Sequence, residues 1–273
     1  SLSQRTCCAG SIMNVNAEEN NMAQLDISTK NCIVEKQGKV LVVTLARPEA
    51  KNAITPAMLI GMYRAWRLLD DDDGLMCAVL TGQGDTFCAG MDLKAGPEGG
   101  EDADLIRQLM QDIPDLHWQA LLRHNPPMKP VILAVEGYAL AGGTEILQGT
   151  DLRVIAEDAV LGVTEVQRGL FPLGGSTIRL RRQIPYCLAA EMLLLGRHIT
   201  AAEALRFGLV NKVVPHGQAL AEAMAMAGQL CECAPLSVRA ITKSLRENGH
   251  WLSEKDALAN EELLGWEVLA SSD

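Results

Sequence analysis

The sequence predicts an α/β fold with a helical C-terminal region. Over the first 165 residues, short apolar segments of strand length alternate with longer segments whose apolar residues recur at helical spacing. Several of the apolar segments run directly into glycine-rich turns, as strands do when a ligand binds at their carboxyl ends. After that point helical patterns dominate. A sheet covered by helices, followed by a mainly helical region, is therefore expected.

The individual elements follow in chain order. CIVEKQGKVLVVTLARP predicts two strands joined by a hairpin turn at Gln37 and Gly38. Thr55 is expected to cap a helix over 56–70, with Pro56 as its first residue. Further buried strands are expected in LMCAVLTG, PVILAVEG, DLRVIAED and AVLGVTE. Further helices are expected at 103–124, from Gly142 onward, and at 186–195, 200–206, 217–232, 235–248 and 253–270.

Composition narrows the classes of function. The chain has 273 residues, of which 48% are hydrophobic and 21% charged, so a globular fold with a large core is expected. The formal net charge is −10, which argues against a nucleic-acid partner. With no run of about 18 apolar residues, no membrane span is expected. Residues 1–29 are polar and aperiodic, so they predict a disordered extension without a signal peptide.

Eight cysteines are scattered along the chain, mostly within apolar segments. Cys231 and Cys233 have no second pair of cysteines or histidines at the spacing that zinc requires. Buried free thiols in a reducing compartment are therefore expected, and the protein is predicted to be cytoplasmic.

Two strand ends carry similar loops, CAVLTGQGDTFCAGMDLK and ILAVEGYALAGGTEIL. The first backbone N–H groups of a helix lack intrahelical partners, and glycine lets the backbone approach a ligand closely. Two such ends facing each other would offer two N–H groups to one oxygen, which is an oxyanion hole. Taken alone, each loop is better explained as a simple tight turn between a strand and a helix.

Two glutamates lie in weakly polar surroundings next to these turns. Glu145 follows Gly142 by one helical turn, and Glu165 lies between a strand and a glycine-rich stretch. Burial and mutual repulsion should raise their pKa values, so that one can act as acid and the other as base near neutral pH. Each also has a simpler interpretation. Glu145 could pair with the helix dipole, and Glu165 could form a salt bridge with Arg168.

Five collinear segments resemble the crotonase family of enoyl-CoA hydratases and isomerases. They are RPEAKNAI, LTGQGDTFCAGMDLK, AVEGYALAGGTEILQGTDLRV, GLFPLGGSTIRL and LLGRHITAAEALRFGLVNKVV. The resemblance covers roughly residues 31 to 270. It implies a crotonase-like core of repeated ββα units in a spiral over 30–215. It also implies a helical C-terminal trimerisation region over 216–273, with trimers often paired into hexamers.

The resemblance also implies the ligand and the roles of residues. An acyl-CoA thioester would place its carbonyl oxygen between the N–H groups of Met91 and Gly142. Glu145 would activate water as a carboxylate, and Glu165 would supply a proton to the α-carbon. The resemblance implies no metal and no cofactor beyond the coenzyme A of the substrate. Ala141 stands where the family has the first of three glycines, and this change is expected to be tolerated.

The coenzyme A moiety should lie over the first loop. Lys51 and Lys94 are the expected basic contacts for its phosphates, although either could simply be solvated. The backbone of four residues should line the adenine and pantetheine path: Ala53, Ala89, Asp92 and Leu93. Cys88 lies beside this loop without a nearby histidine in sequence, so packing is favoured over a nucleophilic role.

The presence of both glutamates predicts a hydratase that adds water to a 2-enoyl-CoA, as in fatty-acid β-oxidation. Two alternatives remain open at this point. An enoyl-CoA isomerase needs only one base, and a non-catalytic acyl-CoA-binding subunit would need neither glutamate. The acyl chain cannot be read from the sequence.

Overall fold

The computed structural model describes residues 27–93 and 103–248, together with 256, 258, 260, 261, 263–265 and 270. Most of the predicted N-terminal extension over 1–29 lies outside the described residues, as does much of the helix predicted over 253–270. Within the part of the chain that is described, no helix has the length and apolar character needed to cross a bilayer.

Nine strands and nine helices lie within 27–93 and 103–248, and the described residues from 256 to 265 are helical as well. The strands are β1 (Cys32–Gln37), β2 (Val40–Leu45), β3 (Cys77–Gly82), β4 (Val131–Val135), β5 (Tyr138–Leu140), β6 (Leu152–Ala156), β7 (Val160–Gly162), β8 (Ile199–Thr200) and β9 (Lys212–Val214). The helices are α1 (Pro56–Asp71), α2 (Ala103–Asp112), α3 (Leu116–Ala120), α4 (Gly142–Gly149), α5 (Ser176–Gln183), α6 (Tyr186–Leu195), α7 (Ala201–Phe207), α8 (Ala219–Cys231) and α9 (Pro235–Asn248). A 3₁₀ turn spans Glu165–Arg168.

The strands form two sheets. One has the order β1-β2-β3-β4-β6-β9, antiparallel at β1-β2 and parallel elsewhere, and the other has the order β5-β7-β8. The chain repeats one pattern: β4 joins the large sheet, β5 joins the small sheet, and α4 follows. β6, β7 and α5 repeat it. This is the repeated ββα arrangement, so the predicted fold class is confirmed.

The large sheet is covered on both faces, which explains why its central strands are apolar throughout. All five residues of β4 are buried, as are the first five of β3. On one face, α1 contributes Met58, Met62 and Trp66 to the main core. On the other face, α8 packs its alanines Ala219, Ala223 and Ala227 against the sheet. The small side chains let this helix approach the strands closely.

The predicted start of α1 is confirmed in detail. Thr55 has an extended backbone, and its side chain accepts a hydrogen bond from the Met58 amide. The hairpin at Gln37 and Gly38 is also confirmed, with Gly38 in the left-handed region at φ 60°. These are local signals, and they act within a few residues of each other.

The single helix predicted over 103–124 is wrong. The structure divides it into α2 and α3, because Pro114 cannot continue a helix and Asp115 adopts a left-handed backbone at φ 60°. The short strands β5, β8 and β9 were not predicted. Each has only two or three residues, too few to show an alternating pattern.

Candidate active site

Backbone pairing brings the two predicted loops together. Cys88 of the first loop pairs with Ala139 of β5 as in a parallel ladder. The Cys88 amide donates to the Tyr138 carbonyl at 2.9 Å, and the Leu140 amide donates to the Cys88 carbonyl at 2.9 Å. The two strand ends therefore face each other, which the sequence could not establish.

The amides of Met91 and Gly142 lie side by side at this junction. A Cβ placed on Gly142 would lie only 3.8 Å from the Met91 nitrogen. Met91 pairs with Ile54 as in a parallel ladder, whose hydrogen bonds use Gly90 and Asp92, so the Met91 N–H points away from Ile54. Gly142 is the first residue of α4, so its N–H has no intrahelical acceptor. Neither amide donates to another described residue, and both are available to a ligand oxygen.

Ala141 precedes this helix with an unusual backbone, φ 49° and ψ −118°. L-amino acids rarely adopt this region, and such a residue typically stores about 1–3 kcal/mol of strain. The turn is retained, since the Ala141 amide still donates to the Gly162 carbonyl at 2.7 Å. The turn thus accommodates the alanine, but in a conformation suited to glycine.

Glu145 lies on α4 with only 6% of its surface exposed. Its Oε1 accepts hydrogen bonds from the Ser176 hydroxyl at 3.1 Å and from the Ser176 amide at 3.4 Å. Burial raises the pKa of Glu145, and hydrogen bonds from Ser176 and Gly174 and the charge of Arg179 oppose this rise. A carboxylate held by several donors in a buried site is suited to act as a base.

Glu165 begins the 3₁₀ turn after β7 and is half-buried. Burial raises the pKa of its carboxyl to about 7, its own backbone amide opposes the rise, and the charge of Glu145 adds to it. Its Oε2 is buried without a hydrogen-bond partner among the described residues. The two glutamates are therefore close enough to interact, and Glu165 holds a proton more readily. No ion pair with Arg168 is found in the described part of the chain, so the salt-bridge interpretation is not supported.

Lys51 lies at the rim of the site. Its Nζ is 5.4 Å from the centre of the Tyr138 ring, and both side chains are exposed. This contact places a positive charge across the junction of the two loops, where it can attract an anionic group. Lys94, the other predicted basic contact, lies outside the described residues.

The remaining predicted contacts lie along the first loop, and their amides are mostly engaged. The Ala89 amide donates to the Lys51 carbonyl at 3.0 Å, and the Asp92 amide donates to the Ile54 carbonyl at 3.1 Å. The Ala53 amide donates to Ala50 at 3.0 Å. Leu93 is 73% exposed. These residues can therefore line a ligand path with apolar surface and carbonyl groups, but these three amides are not free to donate.

Several contributors were missed from the sequence. Arg47 binds the Asp92 carboxylate with an Nη1–Oδ2 distance of 2.6 Å, which anchors the segment that carries Met91. A Cβ on Gly174 would lie 2.3 Å from Glu145 Oε2, so this glycine makes room for the carboxylate. Both residues stand in segments that carry the family resemblance, but only the folded contacts reveal what they do.

Cys88 packs beneath the first loop, as predicted. It is fully buried, and burial raises the pKa of its thiol to about 12, so it stays neutral. Cys32 and Cys77 are also buried free thiols, whereas Cys187 and Cys233 are exposed, contrary to the expectation for the cysteines as a group.

Comparison with known proteins shows the family to which the chain belongs. The model of the enoyl-CoA hydratase/isomerase family matches residues 35–270. Enoyl-CoA hydratase EchA19 of Mycobacterium tuberculosis is 45% identical over 249 residues, covering 90% of this chain and 91% of that protein. The 2,3-dehydroadipyl-CoA hydratase of Escherichia coli is 36% identical over 216 residues, covering 79% and 82%. A crystal structure of enoyl-CoA hydratase from Mycobacterium tuberculosis superposes with a TM-score of 0.79 at 39% identity, covering 89% and 92%.

The fold and the paired amides define a crotonase-type enzyme. The chain belongs to the enoyl-CoA hydratase/isomerase family, as the matched range and these identities show. The prediction of an acyl-CoA hydratase, a lyase, is confirmed as a reaction class.

Proposed function

We propose that this enzyme adds water across the 2,3 double bond of a 2-enoyl-CoA, with the residues predicted from the sequence in their predicted roles. One arrangement carries the proposal: two unpaired backbone amides lie together, close to the buried Glu145, whose charge acts on the half-buried Glu165. The Met91 and Gly142 amides would bind the thioester oxygen. Charge that develops there as an enolate is then stabilised, and one such donor is typically worth about 10²–10³ in rate.

The glutamates divide the proton transfers between them. Glu145, as a carboxylate, would take a proton from water while the water oxygen bonds to the β-carbon. The thioester becomes an enolate, and Glu165 would give its proton to the α-carbon. The product is a 3-hydroxyacyl-CoA, and one proton passes between the glutamates or through solvent to reset the site. Because the two carboxyls interact, their apparent pKa values belong to the pair.

The proposal requires no cofactor other than the coenzyme A of the substrate, because amides and carboxyls supply the charges of the reaction. Lys51 and Lys94 would bind the phosphates of coenzyme A. The free thiols of the described residues favour a reducing, cytoplasmic setting, and the net charge of −10 disfavours nucleic acid.

Self-association belongs to the proposal as well. Large apolar side chains are exposed between the 3₁₀ turn and the end of α6: Leu170, Phe171, Leu173, Ile178, Tyr186, Leu194 and Leu195. Such a surface favours contact with further copies of the chain, in a trimer or a pair of trimers. Sedimentation at micromolar concentration should give a multiple of three 29.4-kDa chains, and a monomer would contradict the expectation.

Loss of the conjugated enoyl-thioester absorbance tests the reaction. Wild-type enzyme, Glu145→Gln and Glu165→Gln are compared with crotonyl-CoA and a longer 2-enoyl-CoA. Each substitution should lower kcat by about 10²-fold or more, because general acid–base catalysis contributes about 10²–10⁴. Hydration that survives both substitutions would exclude the two-glutamate mechanism. Isomerisation of a 3-enoyl-CoA without hydration would favour the isomerase, and no turnover at all would favour a binding subunit.

A further inference from the structure

Ser176 connects Glu145 to a buried polar cluster. It is the first residue of α5 and is completely buried. Through its hydroxyl and its amide it makes two contacts with the same oxygen of Glu145, Oε1. Hydrogen bonds to a carboxylate are stronger than those between neutral groups, and they favour the charged form.

Gln148 sets the direction of the Ser176 hydroxyl. Its Nε2 lies 3.2 Å from the Thr144 carbonyl and 2.9 Å from the Ser176 hydroxyl oxygen. A carbonyl can only accept, so the amide nitrogen must face Thr144, and the same NH₂ group then donates to Ser176. The Ser176 hydroxyl hydrogen is left with one good acceptor, Glu145 Oε1.

The backbone behind Gln148 is itself fixed. Its carbonyl accepts from Gln183 at 2.9 Å and from the guanidinium of Arg153 at 3.3 Å. Its side-chain Oε1, in contrast, is buried with no partner among the described residues. A buried acceptor without a hydrogen-bond partner destabilises a folded protein. An apolar side chain of similar size would leave no acceptor unpaired. We therefore attribute the presence of an amide at this position to the hydrogen bonds that its NH₂ group donates.

We infer that Gln148 and Ser176 are positioning residues that form a donor pair, in which Gln148 orients the Ser176 hydroxyl and Ser176 holds Glu145 as the carboxylate through Oε1. The inference deepens the proposed function and rests on it. Glu165 has no comparable donor on its Oε2. Glu165 accepts a hydrogen bond from its own backbone amide, whereas Glu145 accepts from both Ser176 and Gly174, so Ser176 adds to the donors that favour the charged form of Glu145.

The other charged groups around Glu145 are the same in the wild-type enzyme and in each variant described below. Glu165 approaches from the 3₁₀ turn, and Arg179 approaches from α5. Arg123 and Arg246 stand near enough to Arg179 to influence it. None of these groups is altered in the variants, so a change in pH dependence reports the donor pair.

The test is the pH profile of kcat/KM for crotonyl-CoA hydration. Ser176→Ala should move the acidic limb up by about one pH unit, and so lower kcat/KM about tenfold at pH values well below that limb, since one donor to a charged group is lost. The basic limb, set by Glu165, should stay. Ser176→Thr retains the hydroxyl and should restore the wild-type profile. Gln148→Met, which leaves the hydroxyl free to rotate, should shift the acidic limb in the same direction by less.

Thr150→Val is the matched control. Thr150 is buried on the same side of the protein, and its hydroxyl donates to the Leu147 carbonyl at 2.7 Å, away from Glu145. This variant should lose stability comparably but keep the wild-type profile. An unmoved acidic limb in both Ser176→Ala and Gln148→Met, or a shift in Thr150→Val, would overturn the donor pair.

A second readout does not depend on turnover. Infrared difference titration can follow the carboxyl band that Glu145→Gln abolishes, and this band should titrate at higher pH in Ser176→Ala. If the band titrates at higher pH in Ser176→Ala but the wild-type protein hydrates no enoyl-CoA, the donor pair is retained and the proposed function is refuted. An active wild type with an unshifted band would refute the donor pair alone.

Discussion

Gly174→Ala places a methyl group against the proposed base. The new Cβ would lie 2.3 Å from Glu145 Oε2, 2.5 Å from its Cδ and 2.9 Å from its Cβ. Ordinary contacts between such atoms are 3.4 Å or longer, so the overlap is about 1 Å. Rotating the carboxylate cannot remove the contact with the Glu145 Cβ, because α4 fixes that atom. Either the glycine turn moves or the carboxylate leaves Ser176.

A displacement of about 1 Å in a reacting group can lower the rate about 10²-fold. We therefore expect Gly174→Ala to lower kcat/KM for crotonyl-CoA about 10²-fold, and to lower the free energy of unfolding by about 1–3 kcal/mol through overpacking. Gly228→Ala is the control. Gly228 lies inside α8 with no atom within 4 Å of a new Cβ, so this variant should gain about 1 kcal/mol of stability and keep full activity. A folded Gly174→Ala enzyme with wild-type kcat/KM would refute the reasoning.

Three further expectations follow from strain, titration and anchoring. Ala141→Gly should raise the free energy of unfolding by about 1 kcal/mol in urea titrations, whereas Ala223→Gly inside α8 should lower it by a similar amount; equal losses would contradict the strain at φ 49°. Glu165 has a folded-state pKa of about 7, above its usual 4.5, so the folded state binds the extra proton and wild-type stability falls as pH rises between these values. The free energy of unfolding of Glu165→Gln should therefore rise relative to that of wild type by about 1 kcal/mol from pH 5 to pH 8, once solvent screening is allowed for. A difference between the melting curves that stays constant with pH would argue against this prediction. Arg47→Ala should lower kcat about tenfold, because it loosens the segment that carries Met91. Lys36→Ala breaks an ion pair of the same 2.6 Å length with Asp72 and should leave kcat unchanged. Equal kcat values in the two variants would show that Arg47 does not position the site.

Local signals in the sequence were enough for much of the fold. The cap at Thr55, the hairpin at Gly38 and the helix start at Gly142 each depend on residues within one or two turns of each other. The helix over 103–124 was drawn too long because its apolar residues kept a helical period on both sides of Pro114. Strands β5 and β8 of the small sheet were not predicted because each is short and pairs with β7, which lies about twenty and forty residues away in the chain.

The site shows the same division. Glu145, Glu165 and the two amides could be named because the motifs around them are recognisable in one dimension. Their interaction, and the unequal surroundings that separate their pKa values, arise only when α4, α5 and the 3₁₀ turn meet. Ser176 and Gly174 contribute through contacts some thirty residues distant in the chain, and no spacing rule predicts such contacts.

Ladder hydrogen bonds on both sides of the loop junction hold the amides of Met91 and Gly142 in place. All of these bonds are made between residues of the protein itself. The placement of these two amides is thus a property of the scaffold itself. We therefore expect the residues that select the acyl chain of the substrate to lie outside this junction. A substitution outside this junction can therefore leave the two amides in place.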